Sequence, residues 1–179
     1  MQSDANLVQQ VVGGDRLAYG LLYDRFVRLV RSLCFDTTGD VNSAQDLAQE
    51  VFLRAYSQLG RLRDRERFAP WLLALARHVC ADWQRAQSRD RHRYVGDGPE
   101  VVAAEPTGED EHSVLELRRE IARLPEKERL ALHVFYLEDQ PAERARRLLG
   151  LSSSGFYKLL ERARKRLAKI LRAKEGRTQ

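Results

Sequence analysis

Cysteine is close to absent. Cys34 and Cys80 are the only two in the 179-residue chain, too few for a disulfide framework, and their scarcity fits a reducing compartment. Long apolar runs are missing as well. No stretch approaches the roughly 20 residues that a membrane-spanning helix needs, so no membrane insertion is expected. The opening MQSDANLVQQ has no basic start followed by an apolar segment, so no signal peptide is expected and the protein is expected to stay in the cytoplasm. Strand-like alternation, internal repeats and low-complexity tracts are lacking too. Metal-ligand spacing is also missing. His78 and Cys80 stand two apart on a helical segment, about 200° around it, and cannot share a metal; Cys34 and His92 add no ligand spacing. The chain carries no P-loop, no nucleophile elbow and no paired-carboxylate site. No catalytic residue, metal or cofactor is therefore expected, and an enzyme is excluded first.

What is present is helix. Apolar residues make up 43% of the chain, enough to form cores and too many for a disordered chain. Helical periodicity predicts segments over about 4–12, 15–35, 40–59 and 65–93, with Asp36-Thr37-Thr38-Gly39 as a turn. In the second segment Leu17, Leu21, Leu22, Phe26, Leu29, Val30 and Leu33 form the expected buried side. Residues 95–112 differ in character. From Asp97 to Glu111 there are six acidic residues and no basic ones, with Pro and Gly interspersed, which reads as a flexible acidic linker. Helical pattern resumes near Ser113. The expectation is an all-α protein of two small helical domains, 1–94 and 113–179, joined by that tether.

The C-terminal end is the most informative. PAERARRLLGLSSSGFYKLLERARKRLAKIL reads as a helix, a tight turn at Gly150 and a second helix dense in Arg and Lys. Ser152, Ser153 and Ser154 are strong N-cap residues. Ala145, Leu149, Leu151, Phe156 and Leu159 would pack the two helices together. Ser153, Ser154, Tyr157, Lys158 and Glu161 then face outward from the start of the second helix. In a helix-turn-helix that end enters the DNA major groove. From Pro141 to Gln179 there are twelve Lys/Arg against Glu143, Glu161 and Glu175, a one-sided charge suited to phosphates. A solvated helical hairpin or a membrane-surface helix explains fewer of these features.

The N-terminal half carries two further patterns. Over 40–59, Val41, Ala44, Leu47, Ala48, Val51, Phe52, Ala55, Tyr56 and Leu59 make a buried stripe. Asp46, Gln49, Glu50 and Leu53 form a second row on another face, which spacing alone would assign to solvent. Over 61–93, Phe68, Trp71 and Trp83 interleave with arginines, a composition that can stack bases and hold single-stranded backbone. Trp71 reads as core; Trp83 reads equally as core or as a stacking surface.

These strings, in this order, give the chain a resemblance to the small two-domain, extracytoplasmic-function type of bacterial RNA polymerase sigma factor. The resemblance runs from about Leu7 to Leu171. It rests on Ala44-Gln45-Asp46-Leu47-Ala48-Gln49-Glu50-Val51-Phe52, on Phe68-Ala69-Pro70-Trp71-Leu72 and on Asp82-Trp83-Gln84-Arg85. In the C-terminal half it rests on Leu124-Pro125-Glu126, Leu149-Gly150-Leu151-Ser152 and Arg162-Ala163-Arg164-Lys165-Arg166-Leu167.

The resemblance implies a protein that binds core RNA polymerase and directs it to particular promoters. It implies that Asp46, Gln49, Glu50 and Leu53 dock on the polymerase clamp helices. Arg61, Arg63, Arg65, Arg67, Arg77, His78, Trp83 and Arg85 would hold the melted −10 element. Ser153, Ser154, Tyr157, Lys158, Arg162, Arg164 and Lys165 would read or clamp the duplex −35 element. An anti-sigma factor or other inhibitor is a further implied partner. The chain departs from the family pattern at His78, where Asn is usual, and at Arg144-Ala145-Arg146, where Glu-Ile-Ala is usual. At that second site the hairpin either splays or lets Arg146 snorkel outward. The alternative is a stand-alone helix-turn-helix regulator of duplex DNA, which leaves the Asp46–Leu53 row without a role.

Overall fold

The computed structural model describes residues 2–93, 109–137 and 141–175, which contain helices and no strand. The first four helices are α1 (Asp4–Val12), α2 (Arg16–Thr38), α3 (Val41–Gln58) and α4 (Phe68–Arg93), with short 3-10 turns at Leu59–Arg61 and Arg65–Arg67 between α3 and α4. The second four are α5 (Glu109–Ala122), α6 (Glu126–Leu137), α7 (Pro141–Leu149) and α8 (Ser153–Glu175).

Local chemistry sets the boundaries. Ser3 caps α1, Asp15 caps α2 and Asp40 caps α3, each by a side-chain oxygen that accepts from a backbone N–H of the first turn. The bond from the Ser43 N–H, 2.7 Å long, holds the Asp40 carboxyl below the usual carboxylate range. The second helix outruns its predicted end at Phe35. Gly39 adopts a left-handed φ of 68° and its N–H reaches the Phe35 carbonyl at 2.8 Å, so the helix closes only after Thr38. Asp36, expected in a turn, therefore sits in the last turn of a helix. The predicted linker 95–112 lies mostly outside the described residues, and so does its expected flexibility. Its last part is helix: α5 begins at Glu109, ahead of the expected Ser113.

The first core centres on α2. Leu22, Phe26 and Leu29 of α2 are fully buried with Leu7, Phe68 and Leu72, and α2 packs on α1, α3 and α4. Four residues assigned to buried stripes are not buried. Leu17, Leu21, Val41 and Tyr56 are exposed, Leu17 by 84%. Among the described residues no element covers these four positions. In the second half, α6 packs on α7 and α8. The hairpin is closed: Ala145 and Phe156 are fully buried, Gly150 turns at φ 66°, and Arg146 points to solvent. Of the two outcomes open for Arg146, snorkelling holds.

The two halves are packed together. Leu130, Ala131, Val134, Ala145 and Phe156 belong to the same apolar cluster as Phe26 and Leu29. Ionic contacts frame this seam. The Asp36 carboxylate, whose side chain is 3% exposed, accepts from Arg129 Nε at 3.0 Å and lies 3.1 Å from His133 Nε2. Arg129 also donates to the Ala122 and Leu124 carbonyls at the α5–α6 turn. Asp4 accepts from Arg25 of its own half and, at 3.2 Å, from Arg144 of α7. The Arg144 guanidinium lies 4.3 Å from the Phe26 ring centroid, and Arg118 covers Phe35 at 5.7 Å.

Removing one partner of a fully buried ion pair costs about 3–5 kcal/mol. Arg129 keeps 22% of its side chain exposed, so the loss is smaller here. Asp36→Ala is expected to weaken the seam by about 2 kcal/mol. Amide exchange should accelerate in α6 and stay slow in α3. Unchanged protection of α6 would mean that the apolar cluster alone holds the halves.

Candidate polymerase and nucleic-acid surfaces

The row on α3 stands clear of the core. Asp46, Gln49 and Leu53 are exposed and Glu50 is half-buried; their spacing of i, i+3, i+4 and i+7 puts them on one face. Asp46 and Gln49 have no ion pair among the described residues. Glu50 takes Arg54 Nε at 2.6 Å, Arg54 continues to Asp82 of α4 at 3.3 Å, and Asp82 pairs with Arg85. These links fix α3 to α4 at the surface. They raise the Arg54 pKa, through the Glu50 hydrogen bond first. They lower that of Asp82, through Arg85 first.

Beside the row runs a groove that the sequence did not disclose. Arg16, Tyr19, Tyr23, Phe52 and Tyr56, with Gln49 and Leu53, line a volume of about 590 Å³. Its walls are aromatic: Tyr19 meets Tyr56 edge-on at 4.8 Å and Tyr23 meets Phe52 at 4.7 Å. The Tyr19 hydroxyl donates to the Phe52 carbonyl, and burial pushes its pKa up. Leu53, 60% exposed, extends the apolar surface. One signal could have found the exposure of Leu17 and Leu21, which lie on the far side of α2 from Tyr19 and Tyr23. The row 17, 21, 24, 28 passes from Leu to Asp24 and Arg28, so it is the outward face of the helix rather than part of its buried stripe.

The second predicted set divides. Arg61, Arg63, Arg65 and Arg67 are all exposed, and none has an ion pair among the described residues. The Arg65–Arg67 turn packs at the start of α4. His78 is exposed, with Nδ1 3.0 Å from the Ala74 carbonyl of its own helix. Trp83 packs partly buried against the core cluster, as does Trp71. Arg85 is paired with Asp82. Arg77 is paired across the seam with Glu126 of α6. The second half also reaches the other flank, where Arg146 and Arg147 border Glu66 and Ala69 in a cleft of about 340 Å³.

The third set also divides. Ser152 caps α8, accepting from the Gly155 N–H at 3.2 Å, with Ser153 and Ser154 in the first turn. Tyr157 and Lys158 are exposed, and Lys158 has no ion pair among the described residues. Further along, the cations fold back. Arg162 and Arg166 each lie 2.9 Å from the Glu128 carboxylate, whose side chain is only 2% exposed. Arg164 stacks 4.6 Å over the Phe135 ring and donates to the Tyr136 hydroxyl at 3.2 Å. Lys165 pairs with Glu161 at 2.7 Å and lowers the Glu161 pKa. Arg162 and Arg164 thus bind α6, leaving the first turns of α8 as the free face.

An exposed row on α3, a run of exposed arginines between α3 and α4 and a serine-capped α8 thus stand on the eight helices of the described residues. Residues 22–90 match the family model described as Sigma-70 region 2. The chain is 32% identical over 175 residues to the ECF RNA polymerase sigma factor SigD of Mycobacterium bovis, with 90% of this chain and 80% of that one aligned. It is 32% identical over 161 residues to the probable RNA polymerase sigma factor RfaY of Xanthomonas campestris, spanning 84% of this chain and 40% of that relative's length. The solved structure of CnrH in complex with the cytosolic domain of CnrY superposes with a TM-score of 0.60 at 21% identity, covering 96% of this chain and 99% of that one; it supports the fold. The chain belongs to the extracytoplasmic-function sigma factors of the sigma-70 family.

Glu128 gives a direct check on the inward-turned arginines. A buried carboxylate stripped of its partners is costly. Arg162→Ala with Arg166→Ala is expected to lower the unfolding free energy by about 2 kcal/mol, and adding Glu128→Gln should recover most of that in a denaturant titration. A double variant as stable as wild type would release both arginines for DNA.

Proposed function

We propose that this chain is a specificity subunit rather than an enzyme: it binds core RNA polymerase in the cytoplasm and directs initiation at particular promoters. The observation that carries the reading is the α3 face. Asp46, Gln49 and Leu53 stand exposed and unused by the fold, beside an apolar aromatic groove. Such a combination suits a partner with basic residues around an apolar centre. The clamp helices of polymerase are assigned to it.

The DNA roles follow from which cations are free. Arg61, Arg63, Arg65 and Arg67, with His78, are available to hold melted −10 DNA. A base taken out of the stack costs unstacking energy and gains selectivity in return. Arg77 is engaged by Glu126, but both side chains are 48% exposed. Such pairs are worth about 1 kcal/mol or less, so a phosphate can replace Glu126. For the −35 duplex, Ser153, Ser154, Tyr157 and Lys158 form the reading end of α8. Arg162 and Lys165 are ion-paired yet 64% and 76% exposed, so they stay available to clamp the −35 phosphates, with Arg164 beside them on α8. A protein inhibitor is a further proposed partner, since the similar structure of CnrH is a complex with the cytosolic domain of CnrY.

The double change Asp46→Arg with Gln49→Ala separates docking from folding. Surface changes of this kind alter stability by about 0.5 kcal/mol, whereas a reversed charge at an interface costs several-fold more. The variant should melt as wild type does and fail to associate with core polymerase in a pull-down or fluorescence titration. Normal association of the folded variant would remove the docking role from this row.

A further inference from the structure

Four charged side chains run in line across the surface where α3 meets α4. Glu50 Oε1 accepts from Arg54 Nε at 2.6 Å, Arg54 Nη1 donates to Asp82 Oδ2 at 3.3 Å, and Asp82 Oδ1 accepts from Arg85 Nη2. The signs alternate, so the two inner members, Arg54 and Asp82, each divide themselves between two partners. The outer members stand on two different surfaces. Glu50 belongs to the α3 row, and Arg85 is one of the residues expected at the melted −10 strand. Neither Arg54 nor Asp82 is buried, and neither belongs to the row or to the free arginines. Holding two helices together does not require them, since the α3–α4 contact already has an apolar core.

We propose that Arg54 and Asp82 are positioning residues that couple these two surfaces: when a cation of the docked partner takes Glu50, Arg54 turns to Asp82, and Arg85 is released to a phosphate of the −10 strand. The coupling rests on the docking of the α3 row to polymerase. The middle link, at 3.3 Å, is longer than the 2.6 Å link to Glu50, so it is the one with room to tighten. In the free chain the outer links dominate. Glu50 comes before Asp82 in raising the Arg54 pKa, and Arg85 comes before Arg54 in lowering that of Asp82. Neutralising Glu50 leaves Arg54 with a single carboxylate, and Asp82 then has a stronger rival for Arg85.

Exposure suits an exchange of this kind. The four side chains are 40–68% exposed, Arg85 the most, and exposed pairs are weak enough to trade partners without rearranging a core. An arginine at position 54 fits the task, because its planar fork presents separate donors to two carboxylates where a lysine is a point charge. The coupling is reciprocal. A phosphate that takes Arg85 leaves Asp82 to Arg54, and Glu50 is then open to the partner. Its size is bounded by what one exposed pair supplies, about threefold to fivefold in affinity. The exchange lies within the N-terminal half and leaves the seam untouched. It makes the chain hold melted DNA more firmly on polymerase than alone.

The test uses the full chain. Phenylglyoxal modifies free guanidinium groups, and peptide masses report the rate at each arginine. Glu50→Gln imitates a Glu50 whose charge has been met. Asp46→Asn makes the same change of net charge on the same face, outside the line of four. Arg85 should react about threefold faster in Glu50→Gln than in Asp46→Asn, while Arg61 and Arg63 react alike in both. With Arg54→Met added, the two Arg85 rates should coincide. Binding of a fluorescein-labelled single-stranded oligonucleotide should follow the same order, with the Glu50→Gln gain removed by Arg85→Gln. A merely structural ion pair would move the melting temperature and leave the Arg85 rates of Glu50→Gln and Asp46→Asn equal, and that equality would overturn the proposal. The docking of the row fails separately, if the folded Asp46→Arg, Gln49→Ala variant still binds core polymerase.

Discussion

Asp36 is the constraint on which the arrangement of this molecule rests. It is a carboxylate with 3% of its side chain exposed, and among the described residues the first four helices offer it no cation. Its charge is met by Arg129 and His133, both from α6. A buried charge without a partner is among the costliest defects a protein can hold. The N-terminal half therefore carries a specific demand that the C-terminal half satisfies. Asp4 repeats the theme at the other end of the seam, shared between Arg25 and Arg144. Between these two points the apolar cluster runs without a break from Phe26 and Leu29 to Ala145 and Phe156.

This seam shapes what the surfaces can do. The α3 row and its aromatic groove lie on the uncovered side of α2 and α3, open to a protein partner while the halves are docked. The arginine surface lies partly under the C-terminal half, with Arg77 held by Glu126 and the start of α4 flanked by Arg146 and Arg147. Polymerase docking and promoter contact are therefore separable by geometry. The first needs no rearrangement of the seam, and the second competes with it through exposed pairs that exchange at low cost. The Arg144 departure from the family pattern gains a physical meaning here, since Arg144 is the residue that reaches Asp4.

Much of this was legible in the sequence. The helix-turn-helix announced itself through Gly150, the serine caps and the Ala145/Phe156 spacing, all of which are local signals. The α3 stripe gave both its buried side and the row beside it. What could not be read depends on distant partners. Leu17, Leu21 and Tyr56 have core-like spacing, but periodicity names a face and not whether another element covers it. The pairing of Arg162 with buried Glu128, 34 positions away, was not legible either, and it leaves Arg162 64% exposed. The Asp36–Arg129 pair spans 93 positions, and Asp36 itself was assigned to a turn because a helix closing at Gly39 is hard to time from sequence. Trp83 was balanced between stacking and packing, and the fold leaves it partly buried against the core cluster.

The central claim is that buried Asp36 and Asp4 hold the two halves in one arrangement. The most direct test is a pair of spin labels, one at Ser57 on α3 and one at Lys169 on α8, read by pulsed dipolar spectroscopy in the free protein. A single narrow distance distribution in the labelled parent, broadening and lengthening when Asp4→Ala and Asp36→Ala are introduced together, is the result this account predicts. A broad distribution in the parent that the two substitutions leave unchanged would contradict it.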